Sequence, residues 1–106
     1  MSDVVDRVLE ALNAHDLEAF VACYGPDATI EDGHDRVGAR GHDELRARYA
    51  PAFENFPDLR VERLSRTQVG PFVVQEERVT GRGEPARHVA VYLVEDDLIV
   101  RERLLS

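Results

Sequence analysis

Lysine is absent from this chain of 106 residues: all 13 basic residues are arginines, set against 21 acidic residues for a net charge of −8. The arginines are dispersed, with no basic stripe, and a negative field repels phosphate backbones and anionic lipid surfaces. Neither nucleic acid nor a membrane is therefore expected as a partner. Cysteine occurs once, as Cys23, which excludes an intrachain disulfide and fits a reducing, cytoplasmic location. Cys23 falls among Phe20, Val21 and Tyr24 in a helical pattern, with no base near it in sequence, and reads as a core or interface residue in preference to a nucleophile. No apolar run approaches membrane-spanning length, and the opening MSDVVDRV carries charges where a signal peptide needs an apolar segment. No stretch has the Gly, Pro or Ser content of a linker, so a single domain over residues 1–106 is expected, with a small core from 43% hydrophobic residues.

What is present falls into helices first and strands later. Ser2 and Asp3 offer a helix start, and Val5, Val8, Leu9 and Leu12 recur on one helical face as far as Asn13 to His15. Asp16 can cap a second helix with Leu17, Phe20, Val21 and Tyr24 on its apolar side, stopped by Gly25 and Pro26. From Ala28 to Asp32 the spacing switches to alternation, with Ala28, Ile30 and Asp32 on one face. A glycine-rich loop, 33–41, follows, and it lacks a phosphate-loop pattern. A third helix is predicted from His42, with Leu45, Tyr49, Ala52 and Phe53 inward and Pro51 kinking or ending it. Strands are predicted over 59–69, 72–80, 86–94 and 98–105, joined by short turns and hence paired consecutively and antiparallel. This is the α+β pattern, three helices packed on a curved, mostly antiparallel sheet.

Among candidate functional residues Asp32 comes first. A carboxyl facing a dry pocket is pushed toward neutrality in pKa and becomes a usable base; the structural alternative is that Asp32 caps the strand-to-loop turn through its own backbone. His34, two residues on, either shares a proton with Asp32 or sits exposed in the loop. On the last strand Val100, Glu102 and Leu104 share a face, and Glu102 is either a second pocket acid or a partner of Arg78, Arg101 or Arg103 on a solvated edge. The facing of Glu76 against Glu77 on the 72–80 strand is ambiguous, since both alternations contain a valine and a charge. The four histidines have no metal-ligand spacing, and no metal or cofactor is expected. No Ser-His-Asp set or dinucleotide fingerprint is present either, which leaves proton transfer as the chemistry to consider.

NAHDLEAFVACYGPDATIED (13–32), GHDELRARY (41–49), FENFPDLRVE (53–62) and VAVYLVEDDLIVRER (89–103) together resemble the nuclear transport factor two-like superfamily, in its SnoaL-like and ketosteroid isomerase-like branch. The resemblance implies a cystatin-like α+β barrel, a cone of helices on a strongly curved sheet enclosing a hydrophobic pocket, and a homodimer through the outer sheet face. It puts Asp32 at the general-base position, with Tyr24 and Tyr49 in a hydrogen-bond network. It also implies a pocket lined by Ile30, Phe53, Val89, Val91 and Glu102 for a small apolar or carbonyl ligand. Where the resemblance calls for two oxyanion donors the chain has Val8 and Val89. Losing one such donor costs roughly 3 kcal/mol or more, so steroid isomerisation by that machinery is not expected. Two functions follow: a cofactor-free isomerase, cyclase or lyase using a pocket acid, or a non-catalytic ligand-binding or dimerisation module filled by its own side chains.

Overall fold

A computed structural model describes residues 3–34 and 36–106; Ser2, offered above as part of the helix start, and Asp35 of the loop lie outside the described residues. The first helix, α1 (Val4–Asn13), starts at Asp3, whose carboxylate accepts the Asp6 amide at 2.9 Å. Val4, Val5, Val8, Ala11 and Leu12 make its buried side. Its end is anchored by Asn13, whose side chain donates to the Val61 carbonyl at 2.9 Å and accepts the Val61 amide at 2.8 Å, replacing the missing partner at the edge of the sheet. The second helix, α2 (Leu17–Ala22), is capped by Asp16 as expected but stops two residues earlier than the apolar pattern implied.

Tyr24 is therefore already in the first strand, β1 (Tyr24–Asp32), and Pro26 lies inside that strand. The pairing of β1 with its neighbour slips between Tyr24 and Thr29, so Pro26 sits where no ladder amide is needed. The segment read as a loop contains a short strand, β2 (Val37–Arg40), paired antiparallel to β1. The third helix, α3 (Gly41–Asn55), carries Pro51 in its interior and continues past it, burying Leu45 and Phe53. Then come β3 (Arg60–Val69), β4 (Phe72–Thr80), β5 (Ala86–Glu95) and β6 (Leu98–Leu105). These four pair consecutively and antiparallel, and β6 joins β1 in parallel, giving the order β2-β1-β6-β5-β4-β3. Extra residues in β2, β3 and β6 shift the register and bend the sheet. Two edge strands remain, β2 and β3, so the sheet is open and does not close into a barrel.

Strand alternation then assigns each side chain to the helix side or the outer side. Val73, Gln75 and Glu77 of β4 are buried on the helix side, whereas Glu76 faces outward and pairs with Arg87. On β5 the inward residues are His88, Ala90 and Tyr92. Val89 and Val91, expected to line the pocket, belong to the outer face; Val91 lies there with Phe72, Leu93, Arg101 and Arg103. The reason is a reversed pattern, because on β5 the more apolar alternation faces away from the core. Among the described residues no helix is long and apolar enough to cross a membrane.

Candidate functional site

Between the helices and the concave sheet is a cavity of about 100 Å³. Its helix wall is apolar, from Val8, Leu9, Leu12 and Phe20; its sheet wall carries Tyr24, Glu77, His88, Tyr92 and Glu102; Tyr49 enters from α3 and Arg82 from the β4–β5 hairpin. Gly81, at φ +81°, lets that hairpin approach, since a Cβ there would overlap the Asp58 carbonyl. Arg82 is thereby brought over the Phe56 ring at 5.6 Å.

Cross-strand pairing builds the polar wall. Glu77 lies opposite His88, and Tyr92 opposite Glu102, whose other neighbour is Ile30 on β1. Glu77, only 2% exposed, accepts three contacts: the Gln75 amide at 2.8 Å, the Tyr92 hydroxyl at 2.7 Å and His88 Nε2 at 2.8 Å. Glu102, 5% exposed, accepts one, from the Tyr24 hydroxyl at 2.6 Å. Among the described residues its second oxygen, Oε2, has no hydrogen-bond partner. Burial pushes the Glu102 carboxyl up to about 7, the Tyr24 bond holding it down and the Glu77 charge adding to the rise. Burial likewise drives the Tyr24 and Tyr92 phenols well above their ordinary range, so they act as neutral donors. A carboxyl that titrates near neutrality, backed by a phenol and open to a cavity, can both accept and return a proton.

The leading sequence candidate lies elsewhere. Asp32 sits at the end of β1 with its carboxylate turned back on the hairpin, accepting the His34 amide at 2.8 Å, the Arg36 amide at 3.1 Å and Arg36 Nε at 2.9 Å. Its side chain is 42% exposed. Those backbone bonds hold its carboxyl below the usual carboxylate range, opposite to the rise a dry pocket would produce. It lines a separate surface depression with Arg36 and Arg48, and the expectation that it faces the cavity is corrected: at a strand end an Asp meets its own turn amides sooner than it reaches the interior. His34 is exposed, joined to Asp32 through its backbone amide.

Of the remaining expected residues, Tyr24, Tyr49 and Glu102 do line the cavity. Ile30 is buried beside Glu102 without lining it, and Phe53 packs in the core, stacked on His15 at 5.0 Å. The solvated-edge alternative for Glu102 does not hold; Arg101 instead pairs on the outer face with Glu31 at 2.7 Å. Gln75, Glu77, His88 and Arg82 were not singled out by sequence. The available signal was the Gln75-to-Val79 alternation of β4, matched across the hairpin with His88 and Tyr92. Cys23 is buried as expected, its thiol donating to the Ala19 carbonyl at 3.4 Å and pushed up in pKa by burial. Among the described residues no three His, Cys, Asp or Glu side chains converge on a metal position.

This architecture, helices on an open, bent sheet, is the cystatin-like, nuclear transport factor two-like fold. A cystatin-fold protein of uncharacterised function from Novosphingobium aromaticivorans superposes with a TM-score of 0.90 at 29% identity, over 97% of this chain and 95% of that one. A Sinorhizobium meliloti protein provisionally named a polyketide cyclase gives 0.84 at 24% identity, over 98% and 94%. An NTF-2 like protein of unknown function from Burkholderia xenovorans gives 0.78 at 18%, over 95% and 77%. The model of the SnoaL-like domain matches residues 5–102, and the chain belongs to that family. No protein of curated function matches it in sequence.

Proposed function

We propose that this SnoaL-like domain binds a compact small molecule in the helix–sheet cavity and moves a proton on it through Glu102, as a cofactor-independent isomerase, cyclase or lyase. The observation that carries this reading is the Glu102 carboxyl: buried, lining the cavity, hydrogen-bonded once, and pushed up to about 7. Ionised, Glu102 accepts a proton from the ligand; protonated, it returns one at another atom, with Tyr24 bonded to the carboxylate. Glu77 and His88, in contact at 2.8 Å, lie on the same wall. The provisional cyclase name of the Sinorhizobium neighbour is in keeping with such chemistry.

A module filled by its own side chains is the less economical reading. Each buried ion costs several kcal/mol to desolvate, and apolar residues of the same size would pack a merely structural cone at least as well. The small volume, against roughly 300–1,000 Å³ for drug-sized ligand sites, restricts the ligand to a compact one. Val8, on the cavity's apolar wall, supplies no oxyanion donor from α1, which argues against steroid isomerisation. The apolar outer face, with Phe72 46% exposed beside Val91 and Leu93, supports a homodimer through that face, checked by light scattering.

The test is a thermal-shift screen of compact ligands, followed by NMR of solvent deuterium uptake into each hit. Wild type and Asp32→Asn should bind and exchange alike, and Glu102→Gln should lose exchange by at least about a hundredfold. Exchange retained in Glu102→Gln and lost in Asp32→Asn would move the chemistry back to the hairpin; a broad set without hits would sink the reading.

A further inference from the structure

Hydrogen-bond direction on the sheet wall says more about the ligand than the volume does. The Gln75 amide, the Tyr92 hydroxyl and His88 Nε2 are all directed at Glu77, and the Tyr24 hydroxyl at Glu102. Donors on this wall are thus committed to the two carboxylates. What remains on the sheet wall is acceptor capacity at Glu102 Oε2, for which no hydrogen bond is formed among the described residues; the unpartnered Gln75 Oε1 is buried without lining the cavity, and the one further phenol, Tyr49, comes from α3. Flipping the Gln75 amide does not help, because it would set the amide oxygen against the Glu77 carboxylate. While Glu102 is ionised, a carbonyl ligand brings only another acceptor to this wall.

We infer that the cavity takes a compact ligand bearing a positively charged N–H donor, a primary or secondary ammonium on a short apolar body, with the donor meeting Glu102 Oε2 and the body lying against Val8, Leu12 and Phe20. This inference rests on the ligand-binding reading above and specifies its chemistry. Charge agrees with donor count. Glu77 already accepts three hydrogen bonds, whereas Glu102 accepts one and forms no ion pair with an arginine or histidine among the described residues. The other groups facing Glu102 are Glu77 from β4, His88 from β5, Arg48 from α3 and the phenols of Tyr24, Tyr49 and Tyr92. Arg48 lies against Tyr49 at 5.8 Å and Arg82, which lines the cavity, over Phe56 at 5.6 Å; both residues are exposed and neither forms an ion pair with Glu102 among the described residues. A volume of about 100 Å³ equals roughly three or four water volumes, enough for one small ring.

Cyclopentylammonium and cyclopentanone share a skeleton and differ in the polar group, and they are the probes for ligand-observed NMR titration of the full chain. At about pH 8.5, where Glu102 is ionised and the amine still protonated, the ammonium should bind at least about tenfold more tightly than the ketone. At about pH 5.5 that preference should shrink several-fold as Glu102 gains a proton. Glu102→Gln should abolish the preference at both pH values, which separates the cavity from diffuse attraction of cations to a chain of charge −8. Cyclopentanone binding as well as the ammonium at the higher pH would overturn the donor assignment and leave the ligand-binding reading standing. A preference that survives in Glu102→Gln would overturn the assignment to this carboxylate. Failure of both probes to bind wild type would overturn both readings.

Discussion

Asp32 and Glu102 lie on hydrogen-bonded neighbouring strands, with Ile30 paired to Glu102 and Asp32 to Leu104, yet the two carboxyls are driven in opposite directions. Asp32 ends its strand and is met by two backbone amides and an arginine in water, which stabilise its charge. Glu102, two residues before the Leu104 that pairs with Asp32, is buried, is met by one phenol and is pushed up to about 7. The same functional group therefore becomes a turn cap in one place and a buried carboxyl pushed toward neutrality in the other. What separates them is burial and the number of donors supplied by the backbone. Being a carboxylate at the end of an apolar alternation does not by itself make a base.

Substitutions at the two carboxyls and at the groups around them test this contrast. The largest effect is expected from Glu77→Ala, which strips two buried donors and the half-buried His88 of their acceptor on the wall that holds Glu102. A loss of about 3–5 kcal/mol in urea unfolding is predicted, and a loss below about 1 kcal/mol would mean the wall is wet or absent. Next comes the pH dependence of stability. Because the folded-state pKa of Glu102 is raised from 4.5 to about 7, its contribution is full below about 4.5 and is lost as pH climbs through about 7. Each pH unit of separation is worth about 1.4 kcal/mol, so wild type should lose about 3 kcal/mol relative to Glu102→Gln between about pH 4 and pH 8. Parallel profiles for the two proteins would show that Glu102 is solvated.

Tyr24→Phe is expected to be milder. It removes the one hydrogen bond that favours ionised Glu102, so the carboxyl should titrate still higher, with a loss of about 2 kcal/mol above neutral pH and little below it. A carboxyl ¹³C NMR titration reads the shift directly, and a downward move would contradict the geometry. Smallest of all is Asp32→Asn, which keeps an oxygen for the His34 and Arg36 amides and loses an exposed ion pair. Its urea midpoint should match wild type within error, while Asp32→Ala, which cannot cap the turn, should fall measurably below it.

Much of the architecture was legible in the chain. The Val5-Val8-Leu12 stripe, the Asp16 cap and the strand limits at Phe72, Thr80, Leu98 and Leu105 all follow from local periodicity and turn chemistry. The short β2 was not, because a four-residue strand among glycines and charges carries no periodicity and exists through its pairing with β1. The cavity was partly legible: Tyr24, Tyr49 and Glu102, named through the family resemblance, line it. Glu77 was left open against Glu76, since both alternations of β4 hold a valine and a charge, and His88 was missed because β5 places Val89, Val91 and Leu93 on the outer face and His88 and Tyr92 inside, the reverse of what hydrophobic alternation leads one to expect.

By itself, then, the amino-acid sequence determined the elements, their order and the α+β class, since these depend on side-chain periods of two and 3.6 and on residues that cap or turn the chain. Only the tertiary structure decided which face of each strand meets the helices, and with it which acid is buried. That choice depends on strand register and on surfaces contributed by segments far apart in the chain. A one-residue shift in facing exchanges Glu76 for Glu77 and His88 for Val89, and no local pattern in this chain distinguishes the two.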